Sequence, residues 1–167
     1  IFGEETVALG GKLKAEVMGM FGGGGGGGIK YLGHLDTDVP KWSSESKFKH
    51  SIGGEIRGGE LKGLHHVPSN SEVVHISSQP HYLKNSDGFY EADVEIVHAG
   101  KSYSKNRSTM WPDSWSQSRI AHEANIAFKN KKFDDKTGGY IGTTSQGVKV
   151  YFYNNGGSDY NFHPSLR

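Results

Sequence analysis

The sequence contains no cysteine. That excludes a disulfide framework and every Cys-based zinc site, and it suits oxidising and reducing compartments equally. Also missing is any apolar run near the roughly 20 residues of a membrane-spanning helix. The basic flank, apolar stretch and small-residue cleavage site of a signal peptide are absent too. A start without Met reads as an excised fragment. Charge of one sign is lacking, with 19 Lys+Arg against 18 Asp+Glu. Apolar residues are few at 34%, partly because 25 of the 167 residues are Gly. Eight Tyr, eight Phe and three Trp still give a small core enough bulk. The length suits one domain with an appendage.

What charge there is lies unevenly. Residues 1–46 hold 4 basic and 6 acidic residues, whereas 47–167 hold 15 and 12 together with eight of the nine histidines. The later part therefore permits a polyanion partner. Within 7–21, Val7, Leu9, Leu13, Val17 and Met20 approximate helical spacing, against the grain of Gly10, Gly11 and Gly19. Gly22–Gly28 is an unbroken glycine run with no side chains to bury, which reads as a linker. Residues 29–46 read as a polar connector. The predicted division is an appendage with linker over 1–46 and a folded domain over 47–167.

From residue 47 the texture changes. Phe48 and Ile52 flank His50 and suggest a short helix. A spacer comes next, with Gly at 53, 54, 58, 59 and 63. Val73, Val74 and Ile76 suggest a strand. Residues 89–98 alternate acidic and apolar side chains as a half-buried strand does, and the acidic row reads as a solvated face. Gly100 marks a turn, and 101–110 returns as the second strand of a hairpin. Asp113 or Ser114 is the predicted N-cap of a helix over 115–129. Strands are expected at 138–143, 148–153 and 160–164, with an Asn155-Gly156 turn before the last. The order specifies an α+β domain of antiparallel hairpins around one main helix.

The chemistry concentrates at His50 and His65. Imidazole is the side chain whose ordinary pKa, about 6.5, lets it act as acid or base near neutrality. Two imidazoles in different environments can serve as base and acid together. The glycine-rich spacer between them suits a backbone that folds around a bound group; its plainer reading is a mobile loop with two incidental histidines.

The H-x14-H pair ends in Gly63-Leu64-His65, with Gly54-Glu55-Ile56 inside the spacer, and Gly88-Phe89-Tyr90-Glu91-Ala92 opens a strand. Ser108-Thr109-Met110-Trp111-Pro112 followed by Trp115-Ser116, and a closing strand ending in Pro164, complete the pattern. In these features residues 47–167 resemble the bacterial EndoU-type endoribonucleases. The resemblance implies cleavage of RNA by transesterification. One histidine takes the ribose 2′-OH proton, the oxygen attacks phosphorus, and the other protonates the departing 5′-oxygen. The ends left would be a cyclic phosphate and a 5′-hydroxyl, and DNA, lacking the nucleophile, would be spared. By analogy His65 takes the base role and His50 the acid role. No cofactor is implied as obligatory, and manganese assistance stays open.

The third role of the family usually falls to Lys, just before the Ser-Thr-Met block. Here Arg107 stands in that slot, with Lys105 two residues earlier on the expected same strand face, and Thr109 beyond as a phosphate or base contact. His66 stands where the family often has Ser. The closing Thr-x-Tyr-Pro element of the family is replaced by Asn161-Phe162-His163-Pro164. Asn161 and His163 thus become candidate substrate contacts, and the family preference for uridine is not implied. Trp111 and Tyr160 are candidate stacking platforms.

Domains of this kind often form the C-terminal tips of polymorphic or contact-dependent growth-inhibition toxins. The resemblance therefore implies secretion or surface delivery into a neighbouring cell's cytoplasm, tRNA as the expected RNA target, and a cognate immunity protein. Two other classes fit the residues. His65, His66, His75 or His81 could ligate zinc in a metal-dependent nuclease. A non-catalytic module binding RNA or protein on the same scaffold is the other.

Overall fold

The computed structural model describes residues 28–67, the backbone of 73–77, and 82–167. The helical spacing at 7–21, Gly22–Gly27 and His81 lie outside the described residues, as does the side chain of His75. Ser44 starts the first helix, α1 (Glu45–Gly53), by accepting the Lys47 amide at 3.3 Å, with Glu45 in the first turn. Both suit the positive end of a helix. Gly54, at φ +81°, stops α1 and turns its N–H back to the Lys49 carbonyl. Phe48, Ser51 and Ile52 are buried.

The spacer is not a loose loop. It is a hairpin of β2 (Glu55–Arg57) and β3 (Glu60–Lys62), with Ile56 opposite Leu61. Gly58 and Gly59 adopt φ of +60° and +79°, the geometry of a two-residue turn that matches strand twist. β1 (Lys30–Tyr31) pairs with β2. The segment between β1 and α1 lies on the domain. Leu35, Val39 and Trp42 pack on the core, and Trp42 Nε1 donates to Asn125 at 2.6 Å.

A second sheet has the order β4 (Val73–Ser77), β5 (Tyr90–His98), β6 (Lys101–Met110). Ala92, Val94 and Ile96 are buried, as their alternation predicts. Two expectations fail here. Glu91 is not solvated: it is 3% exposed and gripped by Arg167, with Nε–O and NH2–O distances of 3.0 and 2.9 Å. And β6 is not regular. Ala92 pairs with Ser108 but Val94 pairs with Lys105, so Asn106 and Arg107 form a bulge opposite Asp93. Arg107 sits at φ +55° and donates its amide to Asp93 at 3.0 Å. One extra residue in a strand reverses the facing of every later residue in it, so Lys105 and Arg107 do not share a face.

The main helix, α2 (Gln117–Lys129), is capped by Ser116, which accepts the Arg119 amide at 3.1 Å. Of the two predicted caps, Asp113 is engaged elsewhere. Residues 112–115 form a turn, and Asp113 accepts the Tyr90 hydroxyl at 2.5 Å. The third sheet, β7 (Lys132–Asp134), β8 (Gly139–Thr143), β9 (Lys149–Tyr153) and β10 (Asn161–Ser165), has the order β10-β9-β8-β7. Asn155 and Gly156, at φ +49° and +83°, turn β9 into β10.

Two apolar clusters result. One joins α1, α2, β9 and β10 through Phe48, Ile52, Trp111, Ile120, Phe152 and Phe162. The other joins the β2–β3 hairpin to β5 and β6 through Ile56, Leu61, Leu64, Val94 and Met110. Burying each large side chain contributes roughly 1.5–3 kcal/mol, so both clusters hold their elements firmly. Trp111 is 0% exposed and belongs to this core, not to a stacking surface. Tyr160 packs edge-on to Phe128 at 5.1 Å.

Candidate active site

The segment Gly63–His66 ties the two clusters together. Its amides satisfy the carbonyls that α1 leaves open at its end: Leu64 to His50 at 3.1 Å, His65 to Ser51 at 2.9 Å, and His66 to Ile52 at 3.1 Å. On its other side β6 takes hold. Lys105 Nζ donates to Gly63 O at 2.6 Å, Ser108 Oγ to Leu64 O at 2.7 Å, and the Trp111 amide to His65 O at 2.7 Å. Leu64 is held at φ +65°, which is costly for a side chain of this kind. It stays because Leu64 is 1% exposed in the second cluster. The result fixes His50 and His65 relative to each other through backbone bonds.

Each histidine has a different anchor. His50 Nδ1 lies 2.7 Å from Oε1 of Glu55, a carboxylate only 1% exposed. The other oxygen of Glu55 accepts from Arg57 Nε at 2.8 Å. With Nδ1 donating to Glu55, Nε2 of His50 is the nitrogen left to exchange a proton. Burial lowers the His50 pKa, and the Glu55 hydrogen bond and charge oppose that. His65 is 7% exposed, and its Nδ1 donates to the Thr109 carbonyl at 2.7 Å. Its Nε2 therefore carries the lone pair. Burial, then the Lys105 charge, holds its pKa well below the ordinary value, so it is neutral near pH 7.

Lys105 sits beside these rings. Its ammonium bonds Gly63 O and, at 3.2 Å, Ser108 Oγ, which leaves one of three N–H donors uncommitted to these two. Burial first, then Lys62, pushes its pKa down to about 8. His163 on β10 stacks on His65, with ring centroids 4.9 Å apart and planes 19° from parallel. Its Nδ1 donates to Pro164 O at 2.9 Å. A cleft of ≈ 270 Å³ opens beside it, lined by Tyr140, Tyr151, Tyr153, Asn154 and Asn155 among others. A second hollow, ≈ 360 Å³, shares His163 and Tyr151 and includes Lys149 and Arg167.

The structure thus brings together His50, His65, Lys105 and His163. Arg107 is elsewhere: its guanidinium is 3.6 Å from Glu91 and 4.8 Å from the centre of the Tyr82 ring. Thr109 contributes its carbonyl, while its place in the ladder is opposite Glu91. His66 is 5% exposed, near Pro112, Asp113 and Trp115, not among the three clustered imidazoles. Asn161 shares a strand face with His163, and its buried Oδ1 has no hydrogen-bond partner among the described residues. Glu55 and Ser108 carry no role that the sequence alone assigns. For Glu55 the signal available was a carboxylate five residues after His50, one of two in the spacer with Glu60. No group of His, Asp or Glu suited to a metal ion occurs among the described residues, and no described helix is long and apolar enough to cross a membrane.

Residues 44–166 match the family described as bacterial EndoU nuclease. A curated protein from Bacillus cereus named Toxin is 29% identical over 129 residues, covering 77% of this chain and 23% of that protein. The chain thus spans less than a quarter of that relative's length. No solved structure matches the chain.

Proposed function

This chain belongs to the bacterial EndoU nuclease family, and from that premise we propose that it cleaves RNA by two-histidine transesterification. The observation that carries the reading is the contrast between the anchors of His50 and His65. His65, neutral and with its Nδ1 proton committed to Thr109 O, takes the 2′-OH proton on Nε2. The 2′-oxygen attacks phosphorus and the P–O5′ bond breaks. His50, whose imidazolium form Glu55 favours, gives a proton to the departing 5′-oxygen. Lys105, not Arg107, offers its remaining N–H to a non-bridging oxygen as charge builds there. The chemistry calls for no metal or cofactor. The two hollows meeting at His163 take the nucleotides flanking the cut, with Asn161 and His163 as contacts.

In its biological setting we read the chain as the nuclease end of a delivered bacterial toxin, supported by the relative named Toxin. The residues before β1 would be the tail of the delivery segment, since the stretch from β1 to α1, expected as a connector, packs on the domain. The expected target is tRNA in the recipient cytoplasm, and a cognate immunity protein protects the producer. The test is incubation with total tRNA in EDTA, with analysis of fragment ends. Cyclic phosphate and 5′-hydroxyl ends, lost with His65→Ala, support the reading. RNA left intact by the wild-type protein refutes it.

A further inference from the structure

We propose that His163 is a positioning residue that keeps His65 the neutral base: it holds the His65 ring face to face and takes up the first proton entering the pair. The proposal rests on the assignment of His65 as base. Its geometric basis is the stack itself, 4.9 Å between centroids and 19° between planes. Both rings spend Nδ1 on a carbonyl, His65 on Thr109 and His163 on Pro164. Each therefore has one nitrogen, Nε2, left to titrate. Two imidazolium charges at this separation repel, so the pair binds its protons in two steps.

The surroundings decide which ring is protonated first. From α1, His50 faces the pair, with its charge tied to Glu55 and Arg57. From β6 comes Lys105, and from β9 the rings of Tyr151 and Tyr153, edge-on to His163 at 5.4 and 6.0 Å. Lys149 and Arg167 rim the adjoining hollow. His65 is the more enclosed of the two, and Lys105, His163 and His50 all act to lower its pKa. His163 stands on an edge of β10, between two open hollows. A proton arriving from solvent goes to His163 and opposes protonation of His65. The base thus remains competent at lower pH than it would alone.

The experiment tracks His65 directly by NMR titration of its ring Cε1–H signal in the wild type, His163→Phe and His163→Gln. The acid limb of kcat/KM on a dinucleotide, normalised to each variant's own plateau, is measured beside it. His163→Phe keeps an aromatic ring over His65, so burial persists while the titrating group is lost together with its bond to Pro164 O. The expected result is that His65 titrates higher in His163→Phe by about one pH unit, the scale of one screened charge contact, and that the acid limb moves with it. Should His163→Phe not fold, His163→Gln carries the same expectation. A His65 titration unchanged from wild type in the folded variants overturns the proposal. A wild type with no RNA cleavage but a shifted His65 titration would refute the nuclease assignment and leave the stacked pair intact.

Discussion

Glu55 holds His50 by a 2.7 Å contact to Nδ1 while its other oxygen is bonded to Arg57. In the proposed mechanism this pair orients the acid, and the Glu55 charge favours its protonated form against the effect of burial. Replacing Glu55 by Gln keeps the shape and removes the charge. The His50 pKa, already lowered by burial, then falls further because the opposing influence is gone. An acid must be protonated to act, so the basic limb of kcat/KM moves to lower pH. At neutral pH kcat falls by about 10²-fold. Rate profiles of wild type and Glu55→Gln check both effects.

The bulge at Asn106 and Arg107 turns Arg107 away from the face that carries Lys105, and the proposed mechanism gives a role to Lys105 alone. Lys105→Gln is expected to cut kcat by about 10²–10³-fold, the cost of losing one donor to a developing anion. Arg107→Gln, which loses contacts to Glu91 and Tyr82, is expected to cost less than about 10-fold. Steady-state kinetics of the two variants on one substrate decide between them.

How legible was this site from the sequence? The two histidines were, because their identity and their 14-residue separation are local facts, and the family resemblance rests on them. The alternating strand at 90–98 and the main helix were legible for the same reason. The bulge was not. A repeat of two places Lys105 and Arg107 on one face, and only the pairing of Ala92 with Ser108 and Val94 with Lys105 reveals the added residue. Glu91 read as solvated because its partner, Arg167, lies 76 residues away. Ser116 as cap was hidden by Asp113, whose carboxylate is held by Tyr90.

Acid should weaken the fold. Burial lowers the pKa of His50, His65, His66 and His163. Below the unfolded value of about 6.5 the unfolded chain binds protons that these folded rings refuse. Stability is full above that pH and is lost as pH falls toward the folded values. The loss is up to about 1.4 kcal/mol per pH unit for each ring concerned. Urea midpoints at pH 7.5 and 5 should differ, with the lower midpoint at pH 5, and His66→Asn should reduce the difference.

Gly63 is where the two histidine segments touch. A Cβ there would lie 1.9 Å from the His50 carbonyl oxygen, and its φ is +71°. Gly63→Ala should therefore destabilise by about 3 kcal/mol or more. Gly59→Ala, with φ of +79° but nothing within 4 Å, should cost about 1 kcal/mol. Urea denaturation of both variants tests the comparison.

The division of labour between the histidines is tested most directly with a dinucleotide whose departing 5′-oxygen is replaced by sulfur. A thiolate leaves without needing a proton, so the acid becomes dispensable while the base does not. On this substrate His50→Ala is predicted to recover cleavage to within about 10-fold of wild type, since general acid help is typically worth about 10²–10⁴-fold, and His65→Ala to stay inactive. Rescue of His65→Ala with no rescue of His50→Ala would contradict the assignment and reverse the roles.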